Sequence, residues 1–299
     1  PTVTFGKLPK LPFPQKDKVN LTFTLETPEG GLPMLPTQSK VFFMPKLAPN
    51  LLSLDVAREK ASSLGFLPTE QAVSQTIYRF SHKDTPAVLE MNIVNGNFSI
   101  SYDLKADPSP IERKPPAPEV AAAAVRSYLS SADLLPEDLT GQTANEFLKI
   151  ETDKLVGALS LSDSDLIRIN FFRKTYDNLP SLTSESNKGN VWFIVSGARE
   201  REKQIIAAEY HYFPVDEGKS STYPIKTSQT AWDELNAGGG YIAALGGNSE
   251  GGKVTIRRIY LAYFDAGTYT EFFQPIIVFE GDSGFMAYLP ALTADYIGD

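Results

Sequence analysis

Residues 230–289 read TAWDELNAGGGYIAALGGNSEGGKVTIRRIYLAYFDAGTYTEFFQPIIVFEGDSGFMAYL, and their reading decides the fold class. Thr230, with Asp233 three residues on, has the form of a capping box, and Gly238-Gly239-Gly240 supplies the glycines that end a helix. After a glycine-rich connection, residues 254–264, 273–280 and 285–289 are dense in Ile, Val, Tyr and Phe, as half-buried strands are. A short helix followed by strands predicts an α+β module.

Upstream, the same order recurs twice in looser form. Ser53 can cap a helix whose apolar positions Leu54, Ala57, Ala61 and Leu64 fall at helical spacing before Gly65. Residues 73–80 follow as a strand. Pro118 suits a first helical position, and Ala121, Ala124, Val125, Tyr128 and Leu129 continue an amphipathic helix to about Ser131. A second capped turn is predicted at 136–139, then strands at 147–159 and 165–176 and a hairpin of 191–196 with 204–213. Residues 178–190 and 214–229 read as polar loops. Three helices, each followed by strands, suggest a divergent internal duplication. The predicted class is α+β, with tandem modules of antiparallel sheet each packed by a short helix.

Residues 89–102 carry the clearest local signal. Asn95-Gly96 predicts a two-residue type I′ turn. That turn sets Ile93 opposite Phe98, Met91 opposite Ile100 and Leu89 opposite Tyr102, with all six on one apolar face. A one-residue slip would scramble that face. Residues 19–25 alternate Leu21, Phe23 and Leu25 against polar neighbours, and residues 40–44 form another short strand.

Two proline-rich stretches divide the chain. Residues 1–18 are an extended leader with Pro1, Pro9, Pro12 and Pro14 among lysines, and no helix can form there. Its apolar residues Val3, Phe5, Leu8, Leu11 and Phe13 are expected to fill grooves on the protein's own body, on a partner protein or on a neighbouring subunit. Phe5, Leu8, Leu11 and Phe13 are the candidate partner-binding residues. Residues 106–118 hold five prolines and mark the expected domain boundary. The expected organisation is a leader (1–18), an N-terminal module (19–105), a linker (106–118) and a C-terminal region (119–299) of two modules, 119–213 and 225–299.

With 299 residues the chain exceeds the usual single-domain size. A net charge of −8 argues against a nucleic-acid partner, which needs clustered cations to displace counterions. Lys7, Lys10, Lys16 and Lys18 form the one small basic group, read as solvated charge. The absence of cysteine excludes disulfides, thiolate catalysis and cysteine-based zinc sites, and suits an exported bacterial protein. No apolar run is long enough to span a membrane. The chain opens on Pro1 rather than methionine, so a signal or membrane tether upstream is expected, and with it a location at the cell surface or beyond.

Gly281-Asp282-Ser283-Gly284 has the form of a serine-protease nucleophile loop. A triad also needs a histidine to take the serine proton and a buried Asp to orient it. Only His82 and His211 are available, and neither lies in such a context; four turn-forming residues joining two strands explain the motif more simply. Residues 247–253 approach P-loop spacing, but Val254 stands where Ser or Thr would ligate magnesium, and a helix precedes where a strand should. Asp163 and Asp165 lack the remaining ligands of a calcium loop and read as a solvated turn. Asn20 and Asn97 fit glycosylation triplets of the kind that arise by chance. The 13 Tyr and 18 Phe fall mainly at alternating strand positions, where sheet cores use them. No catalytic residue, cofactor or metal ligand is predicted.

Trp232 in its short helix, Ile259-Tyr260-Leu261-Ala262-Tyr263 and Gln274-Pro275-Ile276-Ile277-Val278-Phe279 together resemble PepSY-type modules. They are similar in particular to the extracytoplasmic domains of YycI/YycH-type regulatory proteins. The resemblance covers about residues 225–292. It implies a non-catalytic domain outside the membrane that acts by binding other proteins, and no functional residue carries over from it. The leading expectation is therefore a non-enzymatic extracytoplasmic protein working through protein contacts. The alternatives are a self-assembling surface or filament subunit and, more remotely, a serine hydrolase using Ser283.

Overall fold

The computed structural model describes residues 4–50 and 53–299; Pro1 and Val3 of the leader lie outside them. Antiparallel sheet dominates, with three α-helices among the described residues, which is an α+β arrangement. The chain divides into two compact units that are discontinuous in sequence. The first takes Pro1–Lys46, Thr175–Ser186 and Phe213–Asp299, and the second takes Leu47–Lys174 and Asn187–Tyr212.

The second unit is built on one nine-stranded sheet. Its strands, from edge to edge, are Phe66–Ala72, Ile77–His82, Ala87–Asn92, Phe98–Tyr102, Ile205–Tyr210, Val191–Val195, Leu166–Phe171, Thr143–Glu151 and Lys154–Gly157. Helices α1 (Ser53–Ser63) and α2 (Pro118–Ser131) share its core. α1 buries Ala57 and Ala61, and α2 buries Ala121, Ala122, Val125 and Leu129. Two helix-then-strand segments thus merge into one sheet instead of standing as separate modules. The Phe98–Tyr102 and Ile205–Tyr210 strands pair across the proline-rich segment, so residues 106–118 do not bound a domain. That segment packs as part of the unit: Pro110 is buried, and a Cβ on Gly197 would collide with the Lys114 carbonyl.

The first unit holds a six-stranded sheet and a three-stranded one. The Lys253–Asp265 strand organises the larger sheet. One edge pairs antiparallel with Pro275–Gly281, and the other receives Thr22–Leu25 and Ser181–Thr183 in parallel, at its two ends. The sheet is therefore mixed, where a purely antiparallel one was expected. Pro275–Gly281 is apolar on every residue through Phe279 because both its faces are covered. Ile277 and Phe279 face helix α3 (Ser228–Asn236), while Ile276 and Val278 face the opposite core. Thr227, not Thr230, caps α3, and its side chain accepts from the Thr230 N–H at 3.2 Å. Gly238, at φ +82°, closes it in a Schellman motif: Gly239 N–H reaches Glu234 O at 2.9 Å and Gly238 N–H reaches Leu235 O at 3.0 Å.

Several strand boundaries differ from those expected. Residues 147–159 form a hairpin of Thr143–Glu151 with Lys154–Gly157, turning at Thr152-Asp153, whose φ values are +50° and +62°. The loop expected at 214–229 contains the Asp216–Pro224 strand, which pairs with Gln38–Phe43, and the one at 178–190 contains Ser181–Thr183. Tyr241–Ala244, read as connection, is an edge strand beside Met286–Pro290. Asp216–Pro224 is polar and buries only Ser221 and Tyr223, and Ser181–Thr183 and Tyr241–Ala244 span three and four residues, so none carries enough alternation to stand out from loop.

Candidate functional site

The second unit carries a cleft of about 460 Å³ between its two helices and the sheet. Its floor comes from Leu64, Phe66, Ala87, Ile100 and Val195, all buried. The volume exists because small residues stand where larger ones would close it: Gly65 follows α1, Ala87 opens a strand, and Ala124, Ser127 and Ser131 form one stripe of α2. Tyr128, on the same helix, spans to the end of α1, where its hydroxyl donates to Leu64 O at 2.8 Å. Burial raises its phenol above the ordinary tyrosine value, so it remains a neutral donor.

Polar groups stand on the rim. His82 ends the Ile77–His82 strand, and its Nδ1 accepts the Asp84 N–H at 3.0 Å. In the neutral imidazole the proton then sits on Nε2, which lies beside Gly65 at the cleft. Arg201 and Glu202, from the one-turn helix Arg201–Lys203, add one charge of each sign. The Arg201 guanidinium makes no hydrogen bond or ion pair among the described residues, which leaves its five donors available. An apolar floor with a few convergent donors can hold an apolar group and orient a polar one beside it. The chain shows this cleft only as the small stripe Ala124-Ser127-Ser131 at i, i+3, i+7 on an amphipathic helix.

The leader residues Phe5, Leu8, Leu11 and Phe13, the candidate partner-binding residues, pack within their own first unit. Leu8 is fully buried and bridges to Ile297 in parallel, donating to Tyr296 O at 2.8 Å and accepting from Gly298 N–H at 2.7 Å. The Phe5 ring sits 5.0 Å from Phe272. Phe13 stacks on Tyr241 at 4.9 Å and 3°, with Phe264 at 4.8 Å, and Leu11 packs in the same core. A leader that forms no internal ladder takes its order from side-chain slots, and here the chain itself supplies them.

Ser283 lies at φ +59° in the turn Asp282–Gly284. Arg257 clamps Asp282 with two bonds of 2.8 Å, and the Ser283 carbonyl accepts from Gly247 N–H at 2.8 Å. The two glycine-rich loops singled out in the sequence therefore fasten each other. Both histidines belong to the other unit: His211 Nε2 bonds Glu209 at 2.8 Å, and His82 is held by Asp84. Asp163 faces Lys149 at 3.5 Å, and Asp165 accepts from Ile150 N–H at 2.9 Å. Among the described residues no three His, Asp or Glu side chains are grouped to hold a metal ion.

No family model and no curated protein matches the chain. Among solved structures, it is similar to an uncharacterized protein from Eubacterium rectale ATCC 33656. That match has 13% identity over 86% of this chain and 84% of that one, with a TM-score of 0.46. It is also similar to the YpeB C-terminal domain of Bacillus megaterium, at 11% identity over 83% of this chain and 95% of that one, with a TM-score of 0.37.

Proposed function

We propose that the protein is a non-enzymatic, extracytoplasmic binding protein, and that the cleft of the second unit receives an apolar side chain presented by a protein partner. The cleft carries the reading. Its volume of about 460 Å³ falls within the range of roughly 300–1,000 Å³ typical of ligand pockets, and its rim offers an unpaired guanidinium. The resemblance of residues 225–292 to PepSY-type and YycI/YycH-type modules supports the same class, since such modules act by contact. An assembling subunit is the alternative reading, and solution mass with and without residues 1–15 separates the two.

Selection of displayed peptides against the protein tests the proposal, with Ala124→Leu as the variant that fills the cleft. Peptides with an apolar anchor should bind the wild type and lose at least tenfold in affinity on Ala124→Leu, while thermal stability holds or rises. Equal binding by both proteins sinks the cleft as the site. Ser283→Ala should leave binding unchanged; an esterase or peptidase activity lost in that variant would instead favour the hydrolase.

A further inference from the structure

The leader contacts the first unit in the way a bound peptide contacts its receptor. Side chains of the body read its main chain at successive points. Thr4 N–H donates to Ser221 Oγ at 2.9 Å, the Tyr223 hydroxyl donates to Gly6 O at 2.8 Å, and Gln274 Nε2 donates to Pro9 O at 3.0 Å. Tyr223 and Gln274 are both buried, so these donors are built into the groove. Between them, Leu8 forms its two-bond bridge with the 296–298 segment. Pockets then take two of its side chains: Leu8 among Val41, Tyr223, Phe272 and Leu292, and Phe13 in the aromatic slot of Tyr241, Phe264 and Tyr288. Lys16, three residues past the aromatic, donates to Ile242 O at 3.0 Å and lies 5.0 Å over the Tyr241 ring. Main-chain bonds of this kind supply affinity and the pockets supply selectivity, while prolines at 9, 12 and 14 reduce the entropy lost on docking.

We propose that this groove is a peptide-recognition surface, occupied in cis by residues 4–16. Its partner in trans is an extended, proline-rich segment with apolar anchors spaced as Leu8, Leu11 and Phe13 and a cation three residues beyond the aromatic. The leader acts as a competitor at the high effective concentration of a short tether, about 1 mM in order of magnitude. A partner therefore engages only when it outbinds the leader or when the leader is pulled away. This site is independent of the cleft in the second unit.

The test uses the full chain and a fluorescent peptide of residues 4–18, TFGKLPKLPFPQKDK, followed by anisotropy. Phe13→Ala empties the aromatic slot and should bind the peptide at least tenfold more tightly than the wild type. A scrambled peptide of the same charge should not bind, and Phe13→Ala combined with Tyr241→Ala should lose binding. If Phe13→Ala shows no cooperative unfolding transition, Phe13→Leu, which keeps apolar volume and loses ring stacking, runs the same titration. Absence of binding to a folded variant at about 1 mM peptide overturns the proposal. So does equal binding by wild type and variant, or by the scrambled peptide.

Discussion

Arg173 and Asp138 form a buried ion pair in the second unit, Nη1 to Oδ2 at 2.7 Å, with side chains only 1% and 8% exposed. The Tyr212 hydroxyl donates to the other Asp138 oxygen at 2.8 Å, and the guanidinium lies 4.5 Å from the Tyr212 ring centre. Removing one partner strands the other charge out of water, so Arg173→Met should cost about 3–5 kcal/mol. Urea unfolding measures it, and a loss below about 1 kcal/mol would mean that solvent already reaches Asp138. A different residue effect governs acid stability. Hydrogen bonds from Arg58 hold the Glu70 carboxyl at about 2, from an ordinary 4.5, and the Tyr102 hydroxyl holds Asp107 at about 2, from 3.8. Both folded values lie below the unfolded ones, so the folded state binds fewer protons between them. Their contribution is present above pH 4.5 and is lost as pH falls through about 2. Melting temperature should drop across that window, and Glu70→Gln should flatten the drop.

Two hairpins show how turn chemistry sets register at the scale of the element. Asn95-Gly96 lies in a four-residue loop, 93–96, rather than a two-residue turn. Asn92 N–H reaches Asn97 O at 2.8 Å, and the Asn92 side chain accepts from Val94 N–H at 2.9 Å. This Asx turn competes with the two-residue alternative and moves the pairing by two, to Met91 with Phe98 and Leu89 with Ile100. A shift of two keeps every side chain on its face, which is why Leu89, Met91, Phe98, Ile100 and Tyr102 are all buried as expected. Gly96 still needs its positive φ of +74°, so Gly96→Val should cost more than about 1 kcal/mol. The backbone expected there occurs instead at Thr152-Asp153, where both residues are left-handed and a β-branched threonine resists that shape. Replacing the pair with Asn-Gly should stabilise the second unit by about 0.5–1 kcal/mol in chemical unfolding, and destabilisation would refute this reading of the turn.

Across the whole molecule the leader decides the most. Leu8 is fully buried, so Leu8→Ala should lower the stability of the first unit by about 2–5 kcal/mol. Deleting residues 1–15 should lower the first unit's melting temperature and leave solution mass unchanged, as light scattering would show. A change in mass on deletion would favour the assembling-subunit reading.

The sequence by itself determined the α+β class, the three helices, the inward faces of most strands and the glycine stop of α3, because these follow from local periodicity and capping. Only the tertiary structure decided which strands pair. One sheet takes strands from both sides of the proline-rich segment 106–118, and the Lys253–Asp265 strand takes a parallel neighbour from residues 22–25, over two hundred positions away. Such pairings depend on which apolar faces can be buried together, and no window of sequence contains both partners. The leader's side chains advertised a groove without saying whose it was. The cleft among Ala87, Ala124 and Gly65 is a volume left between elements, which small residues permit and only their packing creates.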